Sequence, residues 1–248
     1  MKRLILTLLF LSSFVFADQA EYMFEQGVLA YQNGEYEQAI NHFESALNHG
    51  KASAALYYNL GNAYYKIGEI GPSILYYERA KQLAPHDPDI EFNLNVAQLR
   101  VVDKIPSPEM DYFFKLWTSI KHALTLPQLT AVTLGLYVLL FLLFITRLFS
   151  PSSVRDIVRY STLPVLVLLL ISTFLFVIRV REDVNVQNAI ILSDKVSVTS
   201  GPADDATEVF ALHEGVKVRV IDRSGDFVRI RLSDGKDGWV PQSTLDVI

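Results

Sequence analysis

The chain contains no cysteine. That excludes a disulfide framework, a thiol nucleophile and any cysteine-bound zinc. Histidine is sparse, and His42, His49, His86, His122 and His213 show no metal-ligand spacing such as H-x-x-x-H. Each reads as a surface or boundary residue. No phosphate-cradling loop with a lysine is present, and no Gly-x-Ser-x-Gly elbow. Residues 123–146 and 160–178 contain no charged residue at all. An ion or proton path normally needs an ionisable group at membrane depth, so transport by this chain alone is not expected. Basic residues are outnumbered: residues 18–100 hold 11 acids and 5 bases, and residues 182–248 hold 12 and 7. Domains of that balance repel phosphate backbones, so nucleic acid is not an expected partner. The remaining positive charge lies beside the two uncharged runs, where anionic lipid would be. No catalytic residue, metal site or cofactor is expected.

One skeleton is written twice, 34 residues apart. Gly27 recurs as Gly61, Gly34 as Gly68, Glu35 as Glu69, Phe43 as Tyr77, Glu44 as Glu78 and Ala46 as Ala80, with Ala39 matched by Ser73. A fixed period of this length with small residues at these offsets marks stacked helical hairpins. Gly and Ala let antiparallel helices approach, and the aromatics fill the space between them. Such arrays present a concave face to a partner and seldom do chemistry. The stretch from Asp89 to Val102, after Pro85 and Pro88, reads as one further helix capping the open end.

The pattern resembles the tetratricopeptide repeat (TPR) family. Repeat 1 carries Gly27, Ala39, Phe43 and Ala46. Repeat 2 carries Tyr57, Leu60, Gly61, Tyr64, Ser73, Tyr77, Ala80 and Pro85. Repeat 1 departs from the pattern at Gln26, Ala30 and Lys51. The resemblance implies a concave face built from Glu21, Phe24, Val28 and Tyr31, then Ala55, Tyr58, Asn62 and Tyr65. Phe24, Tyr31, Tyr58, Asn62 and Tyr65 are the implied partner-binding residues. An aromatic groove with one amide suits an extended peptide or a partner helix. Alternatively the capping helix fills the groove through Phe92, Val96 and Leu99.

Residues 4–17 form an apolar run behind Lys2 and Arg3 that ends in Val15-Phe16-Ala17, the pattern of a secretory signal peptide. The uncharged runs 123–146 and 160–178 are longer, about 36 and 28 Å as helices against a bilayer core of ~30 Å. They read as two transmembrane helices, with Thr125 and Ser153 at their start signals and Pro164 as a kink site. Ser161, Thr162, Ser172, Thr173 and Tyr137 are expected to make interhelical hydrogen bonds. A signal sequence followed by two spans puts both flanking domains outside the cytoplasm. Arg147, Arg155 and Arg159 against Asp156 between the spans agree with positive-inside. Just before the first span, Met110, Phe113, Phe114, Trp117 and Ile120 share one helical face. That amphipathic helix fits two placements, in the membrane interface or packed on the repeats.

After residue 184 the period changes. Val216 to Val220 and Phe227 to Leu232 alternate apolar with charged residues, and turn clusters separate them. About five short strands in this length suggest a small barrel. Val228, Ile230 and Leu232 should face its core, with Arg229 and Arg231 outward. The segment resembles bacterial SH3-like domains through Val198-Thr199-Ser200-Gly201-Pro202, His213-Glu214-Gly215, Gly225-Asp226-Phe227-Val228 and Gly238-Trp239-Val240-Pro241.

The expected fold is thus a multidomain membrane protein: an all-α TPR solenoid, two transmembrane helices and a small all-β SH3-like barrel. The expected segments are a signal peptide (1–17), TPR repeats with a capping helix (18–103), a linker with an amphipathic helix (104–125), and transmembrane helix 1 (126–148). A cytoplasmic loop (149–153), transmembrane helix 2 with its cytoplasmic extension (154–180) and the SH3-like domain (184–248) follow. This order resembles BatE-type proteins of the bacterial Bat aerotolerance operons. The resemblance implies a non-enzymatic inner-membrane scaffold with both soluble domains in the periplasm. Its implied partners are other Bat proteins, including membrane-anchored von Willebrand A-type domains, in a role linked to aerotolerance or envelope stress. Membrane lipid is the implied surroundings. The alternative is an envelope sensor or tether that binds cell-wall polymer through the SH3-like domain.

Overall fold

A computed structural model of the chain describes residues 19–106, 111–149, 151–185 and 187–248. The signal-peptide reading, and the position of Met110, lie outside these residues. The chain divides into two compact units, one from residues 1–107 with 187–248 and the other from 108–186.

The first unit begins with five helices: α1 (19–32), α2 (Tyr36–Asn48), α3 (Ala54–Ile67), α4 (Ile70–Leu83) and α5 (Pro88–Leu99). Ser53 caps α3 by accepting from the Leu56 N–H, and Asp87 caps α5 by accepting from Asp89 and Ile90. The repeated glycines make one repeated contact. A Cβ on Gly27 would stand 2.5 Å from the Phe43 ring, and a Cβ on Gly61 would stand 2.6 Å from the Tyr77 ring. Only a residue without a side chain lets the helices close onto these aromatics. Ala39, Phe43, Ala46, Leu56, Leu60 and Ala63 are buried between the hairpins.

The capping helix ends at Leu99, before the expected Val102. The Nζ of Lys104 folds back and donates to the carbonyls of Gln98 and Leu99, satisfying the helix end. Residues 100–106 then run onto the β-domain. Val101 and Ile105 pack against its core, and Asp103 accepts from the His213 N–H at 2.6 Å.

The β-domain has seven strands where about five were expected: β1 (Gln187–Ile191), β2 (Lys195–Thr199), β3 (Glu208–His213), β4 (Lys217–Ser224), β5 (Phe227–Arg231), β6 (Asp237–Pro241) and β7 (Leu245–Val247). They form one antiparallel sheet in the order β3-β2-β6-β5-β4-β1-β7. Every strand feeds the same core, so the sheet curls on itself. Val228, Ile230 and Leu232 are buried in it, as their alternation requires, and Arg231 is exposed. Arg229 is tied down instead of free: its Nη2 lies 2.6 Å from Asp237.

The repeats and the β-domain share a third core, in which Ile190 of β1 joins Ile70, Ile74, Tyr77 and Leu94. Around it, Lys217 meets Glu78 at 2.7 Å, and Arg79 meets Asp246 at 3.0 Å and the Val247 carbonyl at 2.6 Å. Gly215 adopts φ +83, and a Cβ there would lie 2.8 Å from Val101 and 3.0 Å from Ile74. Both the turn and the close approach therefore require glycine.

The second unit holds α6 (Tyr112–Lys121), α7 (Leu126–Phe149) and α8 (Ser152–Asn185). α7 and residues 157–182 of α8 are long and apolar enough to cross a membrane, with mean hydropathy 2.4 and 2.6. The two helices pack together. The expected interhelical hydrogen bonds do not form at Ser161, Thr162 or Ser172. Their hydroxyls donate to the carbonyls of Ile157, Val158 and Leu169 on the same helix. In an apolar surround the nearest acceptor is the preceding turn's own backbone. Lys121 at the end of α6 pairs with Glu182 at 2.6 Å, and Arg179 donates to the Lys121 carbonyl. No residue of α6 is buried, and Phe113, Phe114, Trp117 and Ile120 are exposed.

Candidate functional site

The inner face of the helical array forms a cleft of about 270 Å3 lined by Tyr31, Tyr58, Asn62, Tyr65, Lys66, Tyr77, Asn93 and Val96. Tyr31 comes from α1. Tyr58, Asn62 and Tyr65 stand on one face of α3 because they are spaced by one helical turn. Tyr77 arrives from α4, and Asn93 and Val96 from α5.

Asn62 is the hub. Its Oδ1 accepts from the Tyr77 hydroxyl at 2.6 Å and from Asn93 Nδ2 at 3.0 Å. Asn93 Nδ2 also donates to the Tyr58 hydroxyl at 2.8 Å. The Tyr58 and Tyr77 rings lie 6.0 Å apart and tilted, and the Arg100 guanidinium sits 4.4 Å over the Tyr65 ring. Burial, reinforced by Tyr58, raises the Tyr77 phenol above its ordinary value, and burial also raises Tyr31. These phenols stay protonated at neutral pH. The cleft therefore offers hydroxyls, amides, aromatic faces and the Lys66 ammonium.

Four of the five expected partner-binding residues meet here: Tyr31, Tyr58, Asn62 and Tyr65. Phe24 does not. Its ring packs against Phe43 at 5.8 Å, beneath the Lys51 ammonium, which also pairs with Glu21. Phe24 sits about two turns from Tyr31 along α1, in the contact between α1 and α2. The alternative in which the capping helix fills the groove fails at two of its three residues. Phe92 and Leu99 are 67% and 77% exposed, and α5 buries Ile90, Leu94 and Ala97 instead. Sequence reasoning missed Asn93. Its signal was position: it lies one turn from Ile90 and Ala97, so it faces α3.

On the β-domain, Trp239 is half-buried and stands opposite Arg229 in the β5–β6 register. It lies on the outer face of the sheet, away from the core.

Residues 24–88 match the tetratricopeptide repeat family, and residues 194–246 match the bacterial SH3 domain family. Both are interaction modules. No curated protein matches the chain. The repeat match spans the cleft from Tyr31 to Tyr77, and the SH3 match spans β2 to β7 except the last residue.

Proposed function

We propose that this chain is a non-enzymatic inner-membrane scaffold that binds partner proteins through periplasmic TPR and SH3-like domains. The observation that carries the reading is the polar, aromatic cleft between α1, α3 and α5, open to solvent and backed by the hydrogen bonds that join Asn62, Asn93, Tyr58 and Tyr77. Side chains of an extended peptide could seat there against the faces of Tyr31, Tyr58 and Tyr65. The two apolar helices support anchorage in a bilayer. The export signal read at residues 4–17 and the two spans found among the described residues support placing both soluble domains outside the cytoplasm.

The order of modules supports a place in a Bat-type complex linked to aerotolerance or envelope stress, with von Willebrand A-type domain proteins as partners. Purification in mild detergent followed by identification of co-purifying proteins tests this. Recovery of such partners by the parent chain, and their loss with a Tyr31→Ala/Tyr65→Ala variant, is the expected result. Equal recovery by both forms would overturn the groove assignment.

The match of residues 194–246 to bacterial SH3 domains favours a second reading, a tether to cell-wall polymer. Co-sedimentation of the full chain in detergent with purified sacculi tests it, and its absence would remove that reading.

A further inference from the structure

Five of the seven basic residues in the C-terminal part lie on β4 and β5: Lys217, Arg219, Arg223, Arg229 and Arg231. Three are engaged. Lys217 pairs with Glu78, Arg229 with Asp237, and Arg223 donates to Gln187 at 2.9 Å. Arg219 and Arg231 are not, since no hydrogen bond or ion pair among the described residues reaches either guanidinium. They are direct partners in the antiparallel register, and both are exposed. Their side chains therefore leave the same face with Cβ atoms about 5 Å apart, an arrangement that destabilises a ladder when the charges are alike. An anion seated between them would reverse the sign of that term and could be held by paired N–H donors.

The two arginines line a cleft of about 920 Å3 between residues 98–106 and strands β1, β4 and β5. The half-buried Val101 and Ile105 and the exposed Pro106 form an apolar wall opposite them. The other charges of the lining are already used. Lys104 closes the end of α5, and Asp103 is bonded to His213.

We propose that this cleft binds an extended peptide carrying a carboxylate beside apolar residues, with the carboxylate between Arg219 and Arg231. A lone inorganic anion would leave the wall of Val101, Ile105 and Pro106 unused, and a cleft of this volume holds several residues. The carboxylate comes from an acidic side chain or from a chain terminus, which share this chemistry. The site is separate from the tyrosine cleft, and either assignment can fail without the other.

Calorimetric titration of the full chain in detergent tests it. Three peptides serve as probes: Leu-Val-Glu-Val-Leu with both ends blocked, the same peptide with Gln for Glu, and Leu-Val-Leu with a free carboxyl end. At least one carboxylate peptide should bind about ten-fold or more tighter than the neutral one, since hydrogen bonds to charged groups carry that much. Which of the two does so identifies the source. The variant R219Q/R231Q should lose this preference while melting no lower than the parent, because it removes a repulsion. If it melts lower, R219K/R231K keeps the charge and should still bind several-fold more weakly. Equal binding of the Glu and Gln peptides with no gain for the free-ended one would overturn the proposal. So would undiminished affinity in both arginine variants, or inorganic phosphate binding as tightly as the better peptide.

Discussion

The Glu214 carboxylate accepts a hydrogen bond from the Gly71 N–H at 2.7 Å. Gly71 lies in the first turn of α4, whose own N-cap residue, Glu69, makes no side-chain cap. The turn between β3 and β4 therefore supplies a cap that the helix lacks, and a negative charge at the positive end of its dipole. A Cβ on Gly71 would stand 3.0 Å from the Ile191 carbonyl, so the absent side chain lets strand and helix approach. With Lys217–Glu78, Arg79–Asp246 and the shared core around Ile190, the repeats and the β-domain form one unit.

Glu214→Ala should accordingly destabilise the repeats, not only the domain that carries it. The expected loss is about 0.5–2 kcal/mol, the range for a lost helix cap. Hydrogen exchange is the decisive measurement, since protection should fall in α4 as well as in β3 and β4. Loss confined to the β-domain would show that the cap contributes nothing to the helix.

Gly61→Ala tests the repeated glycine–aromatic contact. A methyl group there meets the Tyr77 ring at 2.6 Å, and Tyr77 is almost fully buried. The usual gain of alanine over glycine in a helix, about 1 kcal/mol, should be outweighed by overpacking of about 1–3 kcal/mol. A denaturant melt showing Gly61→Ala at or above parent stability would mean that the ring moves aside freely.

In the β-domain, Ile230→Ala should cost ~2–5 kcal/mol as a cavity in a fully closed core. Arg229→Ala should cost no more than about 1 kcal/mol, through its partly exposed pair with Asp237. Equal losses for the two in thermal melts would mean that the strand's inner and outer faces are reversed.

Features that rest on local periodicity were legible in the sequence. The 34-residue spacing of Gly27 and Gly61 carries the helical hairpins, and the alternation of Val228, Ile230 and Leu232 carries the curled sheet. The cleft was half legible, because Tyr58, Asn62 and Tyr65 follow a helical spacing that one segment reveals. Asn93 was missed because its meaning depends on how α5 crosses α3. The bond from Glu214 to Gly71 spans 143 residues, and no short-range pattern anticipates it. Residues 100–102 read as the end of the capping helix, which stops at Leu99. Val101 instead serves the β-domain's core, a demand that α5 alone does not reveal.

Asn62→Ala and Tyr65→Ala should separate structure from recognition. Removing the Asn62 amide leaves the Tyr77 hydroxyl and an Asn93 donor without their acceptor, a loss of about 1–3 kcal/mol in stability. Tyr65 is half-buried, makes no side-chain hydrogen bond among the described residues, and meets Arg100 by its ring face. Its truncation should cost stability less and partner capture more. The check is a melt paired with a pull-down for each variant. If Asn62→Ala melts like the parent, the network is not holding the helices together.

The tyrosines also set a limit on the alkaline side. Burial raises Tyr64, Tyr76 and Tyr77, and the Glu44 carboxylate that accepts from the Tyr64 hydroxyl raises Tyr64 further. In the unfolded chain these phenols titrate near the ordinary value of 10.0. Above that pH the folded state still binds protons that the unfolded state has released, so stability falls as pH rises. Below it, both states are protonated and the contribution is fully present. Chemical denaturation of the full chain should thus give tyrosine-independent stability from pH 7 to about 9 and a decline beginning near pH 10. Tyr64→Phe should blunt that decline by removing one of the groups. An unchanged alkaline slope in Tyr64→Phe would mean that this phenol ionises as readily in the folded array as in the open chain.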